Sequence, residues 1–217
     1  MPVINVHAHK GGQGVTTIAA TLALLAARTG RRTLLIDTAG DQPAILGIPT
    51  DPTAPGLTDH LHHHTPLDQL TVPVTDRIEL LPAGTRPDTP LDTATYGLLT
   101  GSLDHYDTVI IDTGAAHAWH RHGDQRILVT RTCYLALRRA VSQHPPTHIV
   151  AIDEPGRAIR PDDITAILGI PVTPTIRHDP AIARTIDAGL LTSQLPPQLA
   201  RGLRHLLDTT TTAEVTR

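Results

Sequence analysis

The chain of 217 residues has no phenylalanine, one methionine, one cysteine and one lysine, and aromatic residues make up 2% of it. With Cys133 alone, the chain can form no internal disulfide, no four-thiolate zinc site and no cluster held by its own thiols, which fits a reducing cytoplasm. Tyr96, Tyr106, Trp119 and Tyr134 are too few to build a platform that stacks several bases, so single-strand binding of that kind is excluded. No run of about 18 apolar residues occurs, so no membrane-spanning helix is expected. The amino end, MPVINVHAHK, lacks a basic region followed by an apolar stretch and a cleavage site, and no secretory signal is expected either. A net charge of -3 gives no global drive toward nucleic acid, although a local arginine patch can still bind a phosphate backbone.

What is present is ordinary globular composition, 40% hydrophobic and 18% charged. A chain of this size buries roughly 70% of its unfolded surface, enough for one core. One domain is expected over residues 1–208, followed by a polar tail, TTTTAEVTR, that is expected to be disordered. Pro49 to Pro55 and the TRPDTP stretch near residue 87 read as loops, and no repeat or linker divides the chain.

In a chain with 17 arginines, the position of the single lysine is informative. Lys10 lies in VINVHAHKGGQGVTTIAATLALLAARTG. Val3, Ile4 and Val6 form a β-branched run suited to a buried strand, and Thr16 to Thr29 is an Ala/Leu-rich helical stretch ending at Gly30. Strand, glycine loop and helix start, in that order, make an anion site: the glycines let backbone N–H groups turn toward a phosphate, and the positive end of the helix faces it. A glycine turn alone serves any tight strand-to-helix connection. The order of Lys10, Asp37 and Asp112 along the chain is what separates this loop from a plain turn.

The residues KGGQGVTT, Lys10 to Thr17, resemble the KGGxGK[ST] phosphate loop of the ParA/MinD family of ATPases. TLLIDTAGDQP from Thr33 resembles the family's second strand with its D-x-D-P-Q end, and HYDTVIIDTGA from His105 resembles its switch strand. The stretches from Arg126, His148 and Leu168 each pair a β-rich run with a helical one; the last is similar to the family's closing strand and loop beside the nucleotide base. The resemblance implies an α/β, three-layer P-loop NTPase fold with a doubly wound, mostly parallel sheet of about seven strands. It also implies ATP and Mg2+ as cofactors. Lys10, Gly11, Gly12, Gln13, Gly14, Val15, Thr16 and Thr17 would line the nucleotide, Thr16 and Asp112 would hold the metal, and Lys10, Asp37 and Asp112 would be the catalytic group.

Two positions depart from the family pattern. Val15 stands where the phosphate lysine belongs, and Ala39 falls where the second aspartate belongs, with Asp41 two residues further on. Losing one preorganised charge from such a site costs about 3 to 4 kcal/mol of barrier, so slow hydrolysis or none is expected. That places the chain beside the degenerate CpaE/TadZ-type branch, as a homodimeric switch or scaffold with an adaptor or partition partner. Base preference is open, because the strand that often ends in asparagine ends here at Asp153.

The alternative is a nucleotide-independent adaptor or DNA-binding protein on the same fold, using Arg138, Arg139, Arg177 and Arg184 on nonspecific DNA. Asp37 and Asp112, read without the loop, serve equally well as caps of strand-to-helix connections, and Thr16 and Thr17 as helix caps. The histidines of DHLHHHTP (His60, His62, His63, His64) and HAWHRH (His117, His120, His122) lack a supporting acid or cysteine framework and read as loop residues rather than metal ligands. Near the end, Leu199, Leu203, Leu206 and Leu207 form one apolar face expected to pack on the sheet rather than to anchor the chain to a membrane.

Overall fold

A computed structural model describes residues 1–208 apart from 50, 52, 86–88, 90, 116 and 117. His117, the polar tail from 209 and most of the TRPDTP loop therefore lie outside the described residues.

The strands are β1 (Val3–Ala8), β2 (Thr33–Asp37), β3 (Val72–Thr75), β4 (Ile78–Leu81), β5 (Thr108–Ala115), β6 (Gln125–Arg131), β7 (His148–Asp153) and β8 (Val172–Arg177). They form one sheet in the order β3-β4-β2-β5-β1-β6-β7-β8. Every pairing is parallel except β3 with β4. The sheet thus has one strand more than the seven expected, and the antiparallel edge strand β3 is a natural place for Pro73, because an edge strand tolerates a residue that cannot donate to a ladder.

Helices cover both faces, as a parallel sheet requires. The helices are α1 (Val15–Arg28), α2 (Gln42–Leu46), α3 (Leu57–His63), α4 (Thr93–Thr100), α5 (Tyr134–Ala140), α6 (Pro161–Leu168), α7 (Pro180–Asp187), α8 (Pro197–Leu203) and α9 (His205–Asp208). On one face, Ile4 and Val6 of β1 meet the Ala/Leu surface of α1, whose residues from Ile18 to Ala26 are all buried. Leu199, Leu203, Leu206 and Leu207 pack into this same core, so the leucine face of the last two helices is spent inside the protein. On the other face, Leu34, Ile36, Val109 and Ile111 pack under α3 and α4 with Trp119, while Leu128, Ile149 and Ile164 form a third cluster under α5 and α6. Fully burying each such side chain contributes about 1.5–3 kcal/mol, and this apolar frame holds the carboxyl ends of β1, β2 and β5 in place. No helix among the described residues is long and apolar enough to cross a membrane.

Candidate functional site

The glycine loop joins β1 to α1 at the carboxyl edge of the sheet, where α/β sheets bind ligands. Gly12 (φ 75°) and Gly14 (φ 96°) adopt left-handed backbone conformations that side chains disfavour. No atom lies within 4 Å of where a Cβ would stand on Gly11, Gly12 or Gly14, so the space before the loop is open. The first intrahelical bond runs from Ile18 N to Gly14 O at 3.1 Å, which leaves the amides of the first turn of α1 without partners inside the helix. That turn carries no acidic residue, so the positive end of the helix dipole is uncompensated. A loop of this construction fits a polyphosphate.

The side chains of the loop divide the work. Gln13, 3% exposed, accepts from Arg131 N at 2.9 Å and donates to Gly11 O at 3.3 Å, so its carboxamide fastens the loop to β6 and only its backbone faces the open side. Val15 is buried in the core that α1 shares with the sheet. Lys10 stays at the rim: its Nζ donates to Gly11 O at 3.4 Å in an exposed bond. It also lies near Cys133, whose thiol is held below its usual value first by the Ala136 amide, then by the Leu135 amide and the charges of Lys10 and Arg157.

Behind the loop, Asp37 and Asp112 are direct partners in the β2–β5 register and both are fully buried. Asp37 accepts from three backbone amides of its own loop, Ala39 N (2.9 Å) and Gly40 N (2.8 Å) on Oδ1 and Gln42 N (2.9 Å) on Oδ2. Burial nonetheless pushes its carboxyl up, with the Asp41 charge adding and the three amides opposing. Asp112 accepts from Gln42 Nε2 at 2.8 Å and Gly114 N at 3.1 Å. Burial first, then the Asp37 charge, push it up to about 6, against the Gln42, Gly114 and Thr16 hydrogen bonds. Thr16 and Asp112 are therefore brought together, and this pairing of a hydroxyl with a carboxylate suits a hard divalent cation that keeps water and phosphate as its other ligands. Ala39 sits against the strand end, 3.6 Å from where a Gly114 Cβ would stand, and Asp41 is exposed just before α2.

A cavity of about 100 Å³ opens on the other side of the loop, between Gly14, Thr17 and Ile18 and a wall of Ile176, His178 and Ile182. Ile152 rather than Asp153 lines it; the Asp153 carbonyl instead accepts from His178 N at 2.8 Å. The four arginines considered for DNA are exposed, Arg138 and Arg139 on α5 and Arg177 and Arg184 at β8 and α7. Arg139 also donates to His9 O at 3.3 Å.

Two features escaped the sequence reading. Gln42, fully buried, links Asp112 to Thr16 O, to which its Nε2 also donates at 3.0 Å. The other is a polar layer inside the sheet. Asn5, His7 and His9 share one face of β1, and the rings of His7, His9 and His120 stand 5.4–5.5 Å apart, centre to centre. The alternation in VINVHAH was visible, but it ordinarily signals a solvent face, and here that face is buried. Burial lowers His7 well below its ordinary value and brings His9 to about 4, each helped by neighbouring histidines. Among the described residues no group of three or more His, Cys, Asp or Glu is arranged to hold a metal ion. His60 instead bonds Thr65 O at 2.8 Å and His62 bonds Thr89 Oγ1 at 3.0 Å.

The sequence profile of the family described as cellulose biosynthesis protein BcsQ matches residues 1–119, more than half of the chain. No curated protein sequence matches. Among solved structures, the septum site-determining protein MinD complexed with Mg-ADP from Pyrococcus horikoshii is 18% identical, with a TM-score of 0.76 over 100% of this chain and 99% of that one. A ParA family ATPase from Chlorobium tepidum is 23% identical, TM-score 0.75, over 94% and 96%. McdA from Cyanothece, solved with ATP, is 17% identical, TM-score 0.76, over 97% and 96%.

Proposed function

Since the chain belongs to the BcsQ family, of ParA/MinD type, we propose that it is a nucleotide-binding protein that dimerises around ATP and works as a switch or scaffold in subcellular positioning, with weak or absent hydrolysis. The observation that supports this reading best is the junction of the open loop Lys10–Thr16 with the Thr16–Asp112 pair, beside a valine where a catalytic cation would be. Amides from Gly11 to Thr16 and the positive end of α1 would hold the phosphates. Thr16 and Asp112 would hold Mg2+, which supplies charge neutralisation between the phosphates. Lys10, exposed at the rim, is placed to serve its own loop or that of a second copy.

Val15 changes the balance between binding and turnover. Amides and the helix end bind phosphate in the ground state, but the charge that develops on transfer needs a cation aimed at it, and a buried isopropyl group supplies none. Hydrolysis is expected about 10²–10³-fold below that of relatives carrying the second lysine. The family description, cellulose biosynthesis protein, supports the cellulose-synthesis machinery as the system this switch or scaffold would serve.

The test is thermal unfolding and sedimentation with Mg-ATP and Mg-ADP. At about 100 times Kd, linkage gives about 2.7 kcal/mol of stabilisation, and Mg-ATP is expected to convert monomer to dimer in the wild type but not in Lys10→Ala. If neither nucleotide at millimolar concentration raises the melting temperature, the switch is wrong and the nucleotide-independent adaptor takes its place.

A further inference from the structure

Gln42 donates both to Asp112 and to the main-chain carbonyl of Thr16, the residue whose hydroxyl is assigned to the cation. Its two amide hydrogens are committed, one to Asp112 Oδ2 at 2.8 Å and one to Thr16 O at 3.0 Å. Both partners are acceptors, so the nitrogen must face them and the carboxamide orientation is fixed by its neighbours. That leaves Oε1 buried with no donor. A fully buried carbonyl oxygen left unpaired costs about 1–3 kcal/mol, which is unusual for a side chain otherwise so well anchored.

The backbone around Gln42 is equally constrained. Its N–H donates to Asp37 Oδ2, and Pro43 follows at the start of α2. The far end of α2 is fastened by Thr192 Oγ1, which donates to Leu46 O at 3.0 Å, and by Gly47, where a Cβ would stand 2.4 Å from Gly189 O. The carboxamide is therefore held from both ends of a short helix and does not swing. Asp37 builds the loop, the loop aims Gln42, and Gln42 joins the Asp112 carboxylate to the main-chain carbonyl of Thr16.

We propose that Gln42 is a positioning residue for the divalent cation: its amide, donating to Asp112 Oδ2 and to the main-chain carbonyl of Thr16, holds the Asp112 carboxylate against the start of α1. The proposal rests on the reading of Thr16 and Asp112 as the Mg2+ site. Outer-shell partners of this type typically contribute 10–100-fold to metal affinity.

The experiment uses Mn2+ as the probe, titrated by electron paramagnetic resonance into the full chain with saturating ADP, alongside ADP affinity measured in EDTA. Gln42→Met keeps the length and removes both polar atoms; Gln42→Glu keeps the shape and an acceptor but donates nothing to Asp112. Gln42→Met is expected to weaken Mn2+ 10–100-fold while ADP affinity in EDTA changes by less than about threefold. Gln42→Glu, which keeps the length and packing of the side chain, is expected to fall between it and the wild type. Equal Mn2+ affinity in Gln42→Met and wild type overturns the role of Gln42 and leaves the cation site standing. A parallel loss of ADP affinity without metal, in both variants, makes Gln42 a structural residue only and also overturns the proposal. If the wild type itself binds no Mn2+ with ADP bound, the assignment of Thr16 and Asp112 fails first and takes the proposal with it.

Discussion

Asp37 and Asp112 end neighbouring strands, face each other in register and are equally buried, yet they are held in different ways. Every hydrogen bond that Asp37 accepts comes from a backbone amide of the loop that follows it, so its charge shapes the chain from Ala39 to Gln42. Asp112 accepts from one backbone amide and from the side chains of Gln42 and Thr16, the second of them in the loop that would carry phosphate. Identical residues at identical strand positions thus differ in the source of their donors, and under the proposed function that difference would divide them between architecture and ligand chemistry. The largest expected effect follows directly. Asp37→Asn turns an N–H group toward amides that need an acceptor and should cost about 2–4 kcal/mol in urea denaturation at pH 7. Asp112→Asn removes a buried like charge, and the new amide oxygen can still accept from Gln42 Nε2, so its stability should stay within about 1 kcal/mol of wild type while Mg2+-dependent stabilisation disappears. The reverse order of stabilities would break the division.

Acid sharpens the contrast between this carboxylate pair and the histidine layer on β1. Asp112 titrates near 6 in the fold against 3.8 as its ordinary value, so the fold binds its proton first and gains stability as pH falls through 6 toward 3.8. His9 runs the other way: about 4 in the fold against 6.5, so the unfolded chain binds the proton first and stability is lost as pH falls from 6.5 to 4. His7, also lowered, adds to the loss. Each shift of about two units corresponds to on the order of 2 to 3 kcal/mol, and over pH 6 to 4 the two largely offset each other. Asp112→Asn should therefore become acid-sensitive by about 2 kcal/mol relative to wild type between pH 6 and 4, and His9→Gln should become more stable on acidification by a similar amount. Parallel pH profiles for both variants and wild type would show that neither shift contributes.

Much of this architecture was legible because its signals are local. The β-branched run before the loop, the glycines, the Ala/Leu helix and the strands ending at Asp37 and Asp112 each announce themselves within ten residues, and the structure moves the helix start only from Thr16 to Val15. The leucines of the last helices were legible for the same reason, since their spacing fixes one face. The β3–β4 hairpin was not, because Pro73 interrupts the run and the antiparallel edge carries no long apolar stretch. Nor was Gln42: in the sequence it is one more polar residue after a turn, and only the fold-back of α2 onto the end of β5 gives its amide two acceptors 26 and 70 residues away. Val15 was read as an apolar residue where the resemblance puts a lysine, and that it packs into the core follows only from the packing of α1.

The smallest effect separates two adjacent threonines. Thr16 acts on Asp112, where its hydroxyl helps hold the carboxyl down, whereas Thr17 faces the cavity on the opposite side of the helix start. Both are half-buried in the first turn of α1, and valine keeps the β-branched shape, so either substitution should change stability by less than about 1 kcal/mol. Thr16→Val removes an oxygen from the cation pair and one of the hydrogen bonds opposing the upward shift of Asp112, so Mn2+ affinity with ADP bound should fall about tenfold. Thr17→Val should leave Mn2+ affinity unchanged and alter only the nucleotide term. Equal losses of Mn2+ affinity at both positions would mean that the cation does not distinguish the Asp112 side of the loop from the cavity side, and the asymmetry between the two strand ends would then be one of packing alone.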